Sequence, residues 1–180
     1  PMYNAGYYES CDMIMNISKQ TENIVRNVQP KFDDWQVSYV PHGIKEDTYY
    51  PIEEESANKK NIDLSDDDQI DEDELTEWEL YNKFTNRFFN GEEYDFIMLY
   101  NNRNIRRKML GDVIMSFKRF TDDLTDEQAE KCALVLHTTP VDQNGTDVPA
   151  MVNAVCDEKQ NVIISGNKID SRYLNYLYNA

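Results

Sequence analysis

The 180-residue chain is short of several things. It has only three cysteines, Cys11, Cys132 and Cys156, an odd number with no close pair and no metal-ligand spacing. That excludes a disulfide-stapled scaffold and a zinc module, and a reducing compartment is the simplest reading. No apolar run approaches the roughly 18 residues of a membrane span, and no signal-peptide pattern opens the chain. A cytoplasmic location follows as the expectation. Basic residues are also scarce, with 18 Lys+Arg against 34 Asp+Glu and a net charge of -16. Such a balance argues against nucleic-acid or anionic-membrane partners.

What remains is enough to fold. About 40% of residues are hydrophobic and 12% are aromatic, which suits one domain or parts of two. The charge is concentrated. Glu53 to Glu79 holds 13 acids and two lysines, net -11, leaving the other 153 residues at only -5. Arg103, Arg106, Arg107, Lys108, Lys118 and Arg119 form a basic cluster with Asp112 alone against them. The chain is a near-neutral body with one acidic segment and one basic loop.

Hydrophobic periodicity predicts the elements. Met13 to Ile17 reads as a buried strand, Ser18 as the cap of a helix carrying Ile24, Val25 and Val28, and Val37 to Val40 as a second strand. Residues 52–73 are acidic and aperiodic, a loop or disordered insertion. Leu75 to Phe89 can form a helix. Then come a strand at Tyr94 to Tyr100 and an amphipathic helix through Val113, Ile114, Phe117, Phe120 and Leu124. A short helix follows, capped by Thr125 and Gln128. The rest is predicted as a strand at Ala133 to His137, a helix at Thr146 to Val155, a strand at Val162 to Ser165, and a last helix capped by Asp170 with Tyr173, Leu174 and Leu177. Alternation of this kind means an α/β, Rossmann-like parallel sheet flanked by helices. Trp35, Tyr39 and Trp78 are assigned to packing alone.

Ligands of open parallel sheets bind at the carboxyl ends of the strands. The loop Asn101 to Lys108 therefore puts guanidinium and ammonium groups where a strand ends and a helix begins. That outlines a diphosphate site, and a solvated basic turn balancing the acidic segment is an equal alternative.

Several motifs carry a resemblance. Tyr39-Val-Pro-His-Gly-Ile-Lys-Glu-Asp-Thr-Tyr-Tyr-Pro51 resembles the hinge-side motif of retaining nucleotide-sugar glycosyltransferases of the two-Rossmann-domain (GT-B) kind, the large group 1 family. Cys11 to Ser18 looks like the last strand of their acceptor domain. Arg103 and Lys108, five apart after a strand, resemble the arginine and lysine that hold the donor diphosphate. Val135 to Pro140 with Gly145 to Pro149, Asn161 to Gly166, and Leu174 to Ala180 resemble the following strands, loop and helix. Asn102 stands where the family often has glycine, and Thr138-Thr139 replaces its glycine-rich turn.

The resemblance implies a partial GT-B architecture. Residues 1–51 would be the end of an acceptor-side Rossmann domain and hinge, 52–93 an acidic insertion with a helix near 75–89, and 94–180 the first half of the nucleotide-sugar domain. It implies sugar transfer from a nucleotide-sugar donor to an acceptor of unknown kind, with no cofactor or metal required. Arg103 and Lys108 would hold the diphosphate. Gly43 and His42 would lie at the interdomain crossing, and Thr138 and Thr139 near the nucleoside. No catalytic residue is assigned, because the family's glutamate pair would lie beyond Ala180. The fragment alone is expected to be inactive.

Two other readings of the acidic segment stay open. Asp63, Ser65, Asp67, Asp71 and Glu74 occupy oxygen-ligand positions of a calcium loop, although Asp68 stands where the sharp turn wants glycine. Alternatively the chain is a non-catalytic interaction module whose acidic insertion binds a basic partner or Ca²⁺.

Overall fold

A computed structural model describes residues 4–54 and 75–180. The calcium-loop positions, with residues 55–74 of the expected insertion, lie outside the described residues. The chain divides into two compact units, Pro1–Asp47 and Thr48–Ala180.

The first unit is small. Helix α1 (Ala5–Glu9) precedes strand β1 (Ile14–Asn16), helix α2 (Lys19–Val28) and strand β2 (Val37–Tyr39). The two strands pair in parallel. The Ser18 side chain accepts a hydrogen bond from the Thr21 N–H and caps α2 as expected. The helix stops before Pro30, where proline cannot continue it. Arg26 on α2 donates to the Val37 carbonyl at 2.7 Å and pairs with Glu22 and Asp34.

The expectation of a buried first strand is corrected. Met13, Met15 and Ile17 are 47%, 68% and 58% exposed. A two-stranded sheet with one packed helix covers only one face, so among the described residues of this unit Val25 and Val37 are the buried apolar ones. Trp35, expected to pack, is 64% exposed, and Tyr39 is 38% exposed with the Lys19 ammonium 4.5 Å from its ring centre. Helix α1 was not expected, since its five residues show no period.

The second unit is a three-layer α/β sandwich. Its strands are β3 (Phe96–Asn101), β4 (Cys132–His137) and β5 (Asn161–Ser165), all parallel and adjacent in that order. Parallel strands need crossovers, which are supplied by α4 (Leu110–Asp122) with α5 (Asp126–Glu130), then by α6 (Val148–Val155). Helices α3 (Glu77–Phe88) and α7 (Ser171–Asn179) complete the unit. Alternation along each strand sorts the side chains between the two faces. Tyr100, Leu134 and Leu136 pack with Leu110, Ile114, Phe117 and Val148 on the α4/α6 face. Leu99, Val135 and Ile163 pack with Phe84, Phe89 and Leu177 on the α3/α7 face. Strand β4 is buried from Cys132 to Leu136, as the central strand of a covered sheet should be.

The caps follow local chemistry. Thr76 with Glu79 and Thr125 with Gln128 form capping boxes on α3 and α5. Asp147 and Asp170 cap α6 and α7, so α6 begins two residues after the expected Thr146. The amphipathic stripe of α4 is truer at its centre than at its end. Ile114 and Phe117 are fully buried, whereas Phe120 is 38% exposed and packs on Phe96 at the sheet edge, and Leu124 lies past the helix. On α7, Tyr176 is buried and Tyr173 is at the surface, the reverse of the expected emphasis. None of the described helices is long and apolar enough to cross a membrane.

Candidate functional site

The loops at the carboxyl ends of β3 and β4 are built as one piece. Asn104 is 1% exposed and joins them. Its amide nitrogen donates to the carbonyls of Thr139 at 3.0 Å and Thr146 at 2.6 Å, and its oxygen accepts from the Thr146 N–H at 2.9 Å. Arg106 N–H donates to the Asn144 carbonyl at 2.9 Å. Gly145 is needed by close approach. A Cβ there would lie within 2.4 Å of both Asn104 oxygens. Gly166 is similarly held against the Pro140 ring. The Thr138 N–H donates to the Ser165 carbonyl, which ties the β4 loop to the end of β5.

On this frame the basic residues stand out from the sheet. Arg103, Arg106 and Arg107 are exposed and Lys108 is half-buried. Arg103 is 70% exposed, with its Nε 3.6 Å from Asp142, too long for a strong pair. Asp142 itself is turned inward to accept from the Asn144 N–H. A short 3₁₀ turn at Arg106–Lys108 leads to Met109, whose φ of 52° is left-handed. Methionine seldom adopts that conformation, and here it turns the chain sharply into α4. No side chain caps α4. The Asp112 and Val113 N–H groups donate to the Met109 carbonyl, which leaves the Leu110 and Gly111 amides, among the described residues, as the donors at the positive end of the helix dipole.

Thr138 and Thr139 lie in the neighbouring loop, brought to the basic loop by Asn104. The Thr138 hydroxyl is buried and finds no hydrogen-bond partner among the described residues. Thr139 is exposed and gives its carbonyl to Asn104. His42 and Gly43 lie in the first unit, in the exposed chain after β2. A Cβ at Gly43 would meet nothing within 4 Å and its φ is ordinary, so within its own unit neither a tight turn nor a close approach requires glycine there.

No family model matches the chain, and no curated protein is similar to it.

Other chemistry finds little support among the described residues. Burial pushes the Cys132 and Cys156 thiols up, away from the thiolate a nucleophile needs. No group of three or more His, Cys, Asp or Glu among the described residues could hold a metal ion. A cavity of about 430 Å³ lies between α3 and α7, lined by Leu80, Phe84, Phe88 and Tyr173 with Lys83 and Arg87. It shares only Ile169 with the strand-end loops, so it lies apart from the basic site.

Asn104 and Asp142 had not been singled out in the sequence. Asn104 is one polar residue inside a basic run, and nothing local marks it as buried. The Asn144-Gly145 dipeptide was a usable signal, because it marks a tight turn.

Proposed function

We propose that the Thr48–Ala180 unit binds the diphosphate of a nucleotide at the carboxyl ends of β3 and β4. On this reading it is the donor side of a glycosyltransferase of the retaining GT-B kind. One observation carries the proposal: a four-cation loop runs directly into the uncapped first turn of α4, at the strand ends of a parallel sheet. Those strand ends are where open α/β sheets place ligands. The free amides suit phosphate oxygens, Arg103 offers a bidentate fork, and Lys108 adds a point charge.

In sugar transfer the nucleoside diphosphate leaves with growing negative charge. Fixed cations and amides aimed at that charge lower the barrier without reorganising. Arg103 and Lys108 would serve the leaving group, and the sugar acceptor would approach from elsewhere. The GT-B part of the reading rests on the motif resemblance and not on this geometry.

Calorimetry with UDP, ADP and GDP tests it. At least one should bind the wild-type chain, and Arg103→Ala and Lys108→Ala should each weaken that binding roughly tenfold, as loss of a charge-assisted bond does. Binding that both variants retain in full would refute the diphosphate assignment.

A further inference from the structure

The last residues of the three strands form a row. Asn101, His137 and Ser165 are register partners across β3, β4 and β5. Neighbouring strands lie about 4.8 Å apart, so the row spans about 10 Å. By alternation the row shares the α3/α7 face with Leu99, Val135 and Ile163, which are apolar and packed. At the strand ends this face therefore changes from hydrocarbon to an amide, an imidazole and a hydroxyl. All three residues are half-buried.

Half-buried polar groups are costly without partners, and these have some. His137 Nδ1 and Ser165 Oγ lie 3.0 Å apart. Asn101 Nδ2 donates to the Tyr178 hydroxyl at 2.6 Å. Capacity is left over: His137 Nε2 and Asn101 Oδ1 make no hydrogen bond among the described residues, and Ser165 has a second lone pair. The leftover set mixes donors and acceptors and carries no acidic or Lys/Arg charge. That chemistry matches hydroxyl groups, which both donate and accept, better than it matches phosphate, which at neutral pH mainly accepts. Beside Asn101, the Tyr178 ring meets Tyr49 at 5.8 Å, offering apolar faces next to the polar row.

We infer that Asn101, His137 and Ser165 form a polyol-binding subsite on the strand ends, next to the cationic loop. It takes the hydroxyls of a ribose or of a transferred sugar. The inference rests on the diphosphate reading of the Arg103–Lys108 loop and extends it from the anion to the rest of the ligand. These are positioning residues, since they would hold the ligand without touching the bond that breaks.

Calorimetry on the full chain with inorganic pyrophosphate, UDP and UDP-glucose (with the ADP and GDP pairs in parallel) separates the possibilities. Ser165→Ala and His137→Gln are the variants, with thermal melting as the check on folding. Gln keeps a donor and an acceptor near the imidazole positions, so it guards against a result caused by lost packing. Ser165→Ala is expected to leave pyrophosphate affinity unchanged and to weaken the nucleotide roughly three- to tenfold, the usual effect of one neutral hydrogen bond. Weakening of both UDP and UDP-glucose identifies ribose, and weakening of UDP-glucose alone identifies the sugar. Equal affinity for all probes in folded Ser165→Ala would overturn the inference and leave the anion site standing. Equal loss of pyrophosphate would overturn it as well, by showing that the effect runs through the loops. If the wild type binds none of the probes, the diphosphate reading and this inference fall together.

Discussion

Replacing Asn104 with alanine tests the frame of the site most directly. The side chain makes three good hydrogen bonds, to the Thr139 and Thr146 carbonyls and from the Thr146 N–H. It is 1% exposed, so no water stands ready to replace them. At about 1 kcal/mol net for each bond, the loss is about 3 kcal/mol, with stranded backbone groups able to add to it. For a unit of this size that is a fall in Tm of about 10 °C. The assay is urea unfolding followed by Trp78 fluorescence in a Trp35→Phe background, which silences the first unit. Trp35 is 64% exposed, so that background change should cost little. Asn104→Asp sharpens the test. It keeps the oxygen that serves Thr146 N–H but turns a carboxylate oxygen toward two carbonyls. The protonated acid could still donate, so its folded pKa should rise above the ordinary value of about 3.9. A raised carboxyl favours the fold at low pH, and that gain is lost as pH climbs from about 4 through the folded pKa. Asn104→Asp should therefore be no better than Asn104→Ala at pH 7 and should regain stability on acidification. An alanine variant within 1 kcal/mol of wild type would refute the argument that this residue holds the loops.

Two further outcomes follow from the same structure. Gly145→Ala should destabilise the unit by about 1–3 kcal/mol in the same urea assay, because its Cβ must displace Asn104 or its carbonyl; an unchanged midpoint would show that the loop yields freely. Burial by itself would raise the Glu77 carboxyl, but the hydrogen bonds from Arg172 and Tyr50, with the Tyr176 hydroxyl nearby, outweigh it and hold the pKa below the usual range. A depressed carboxyl stabilises above its unfolded pKa, and that contribution is lost as pH falls through the folded value. Arg172 is 48% exposed and Glu77 31%, so Glu77→Gln should cost no more than about 1 kcal/mol at pH 7. The gap from wild type should close below about pH 4, and a gap that persists there would contradict the ion-pair account.

Much of the second unit was legible in the chain because its signals are local. The Thr125 capping box, the Asp170 cap and the short apolar runs between them mark element ends by chemistry within four residues, whereas the Thr76 box and the Asp147 cap went unread. The Arg103–Lys108 loop was legible for a related reason, since a strand followed by a helix leaves its charges at a strand end. Burial was less legible. Met13 to Ile17 looked like a core strand, yet apolar composition cannot report how many neighbours a strand acquires. Tyr176 and Tyr173 differ in burial because of how α7 lies on the sheet, which its own periodicity does not state.

By itself the sequence determined an alternating α/β chain, its caps, its acidic segment and a basic loop after the third strand. Only the tertiary structure decided which of those residues meet. Asn104 reaching Thr146, Gly145 pressed against Asn104, and Asn101, His137 and Ser165 in one row are contacts between segments 28 to 42 positions apart. Such contacts depend on strand register and on loop shape. Neither leaves a periodic trace, because the cost of burying a polar group is settled by its partner and not by its neighbours in the chain.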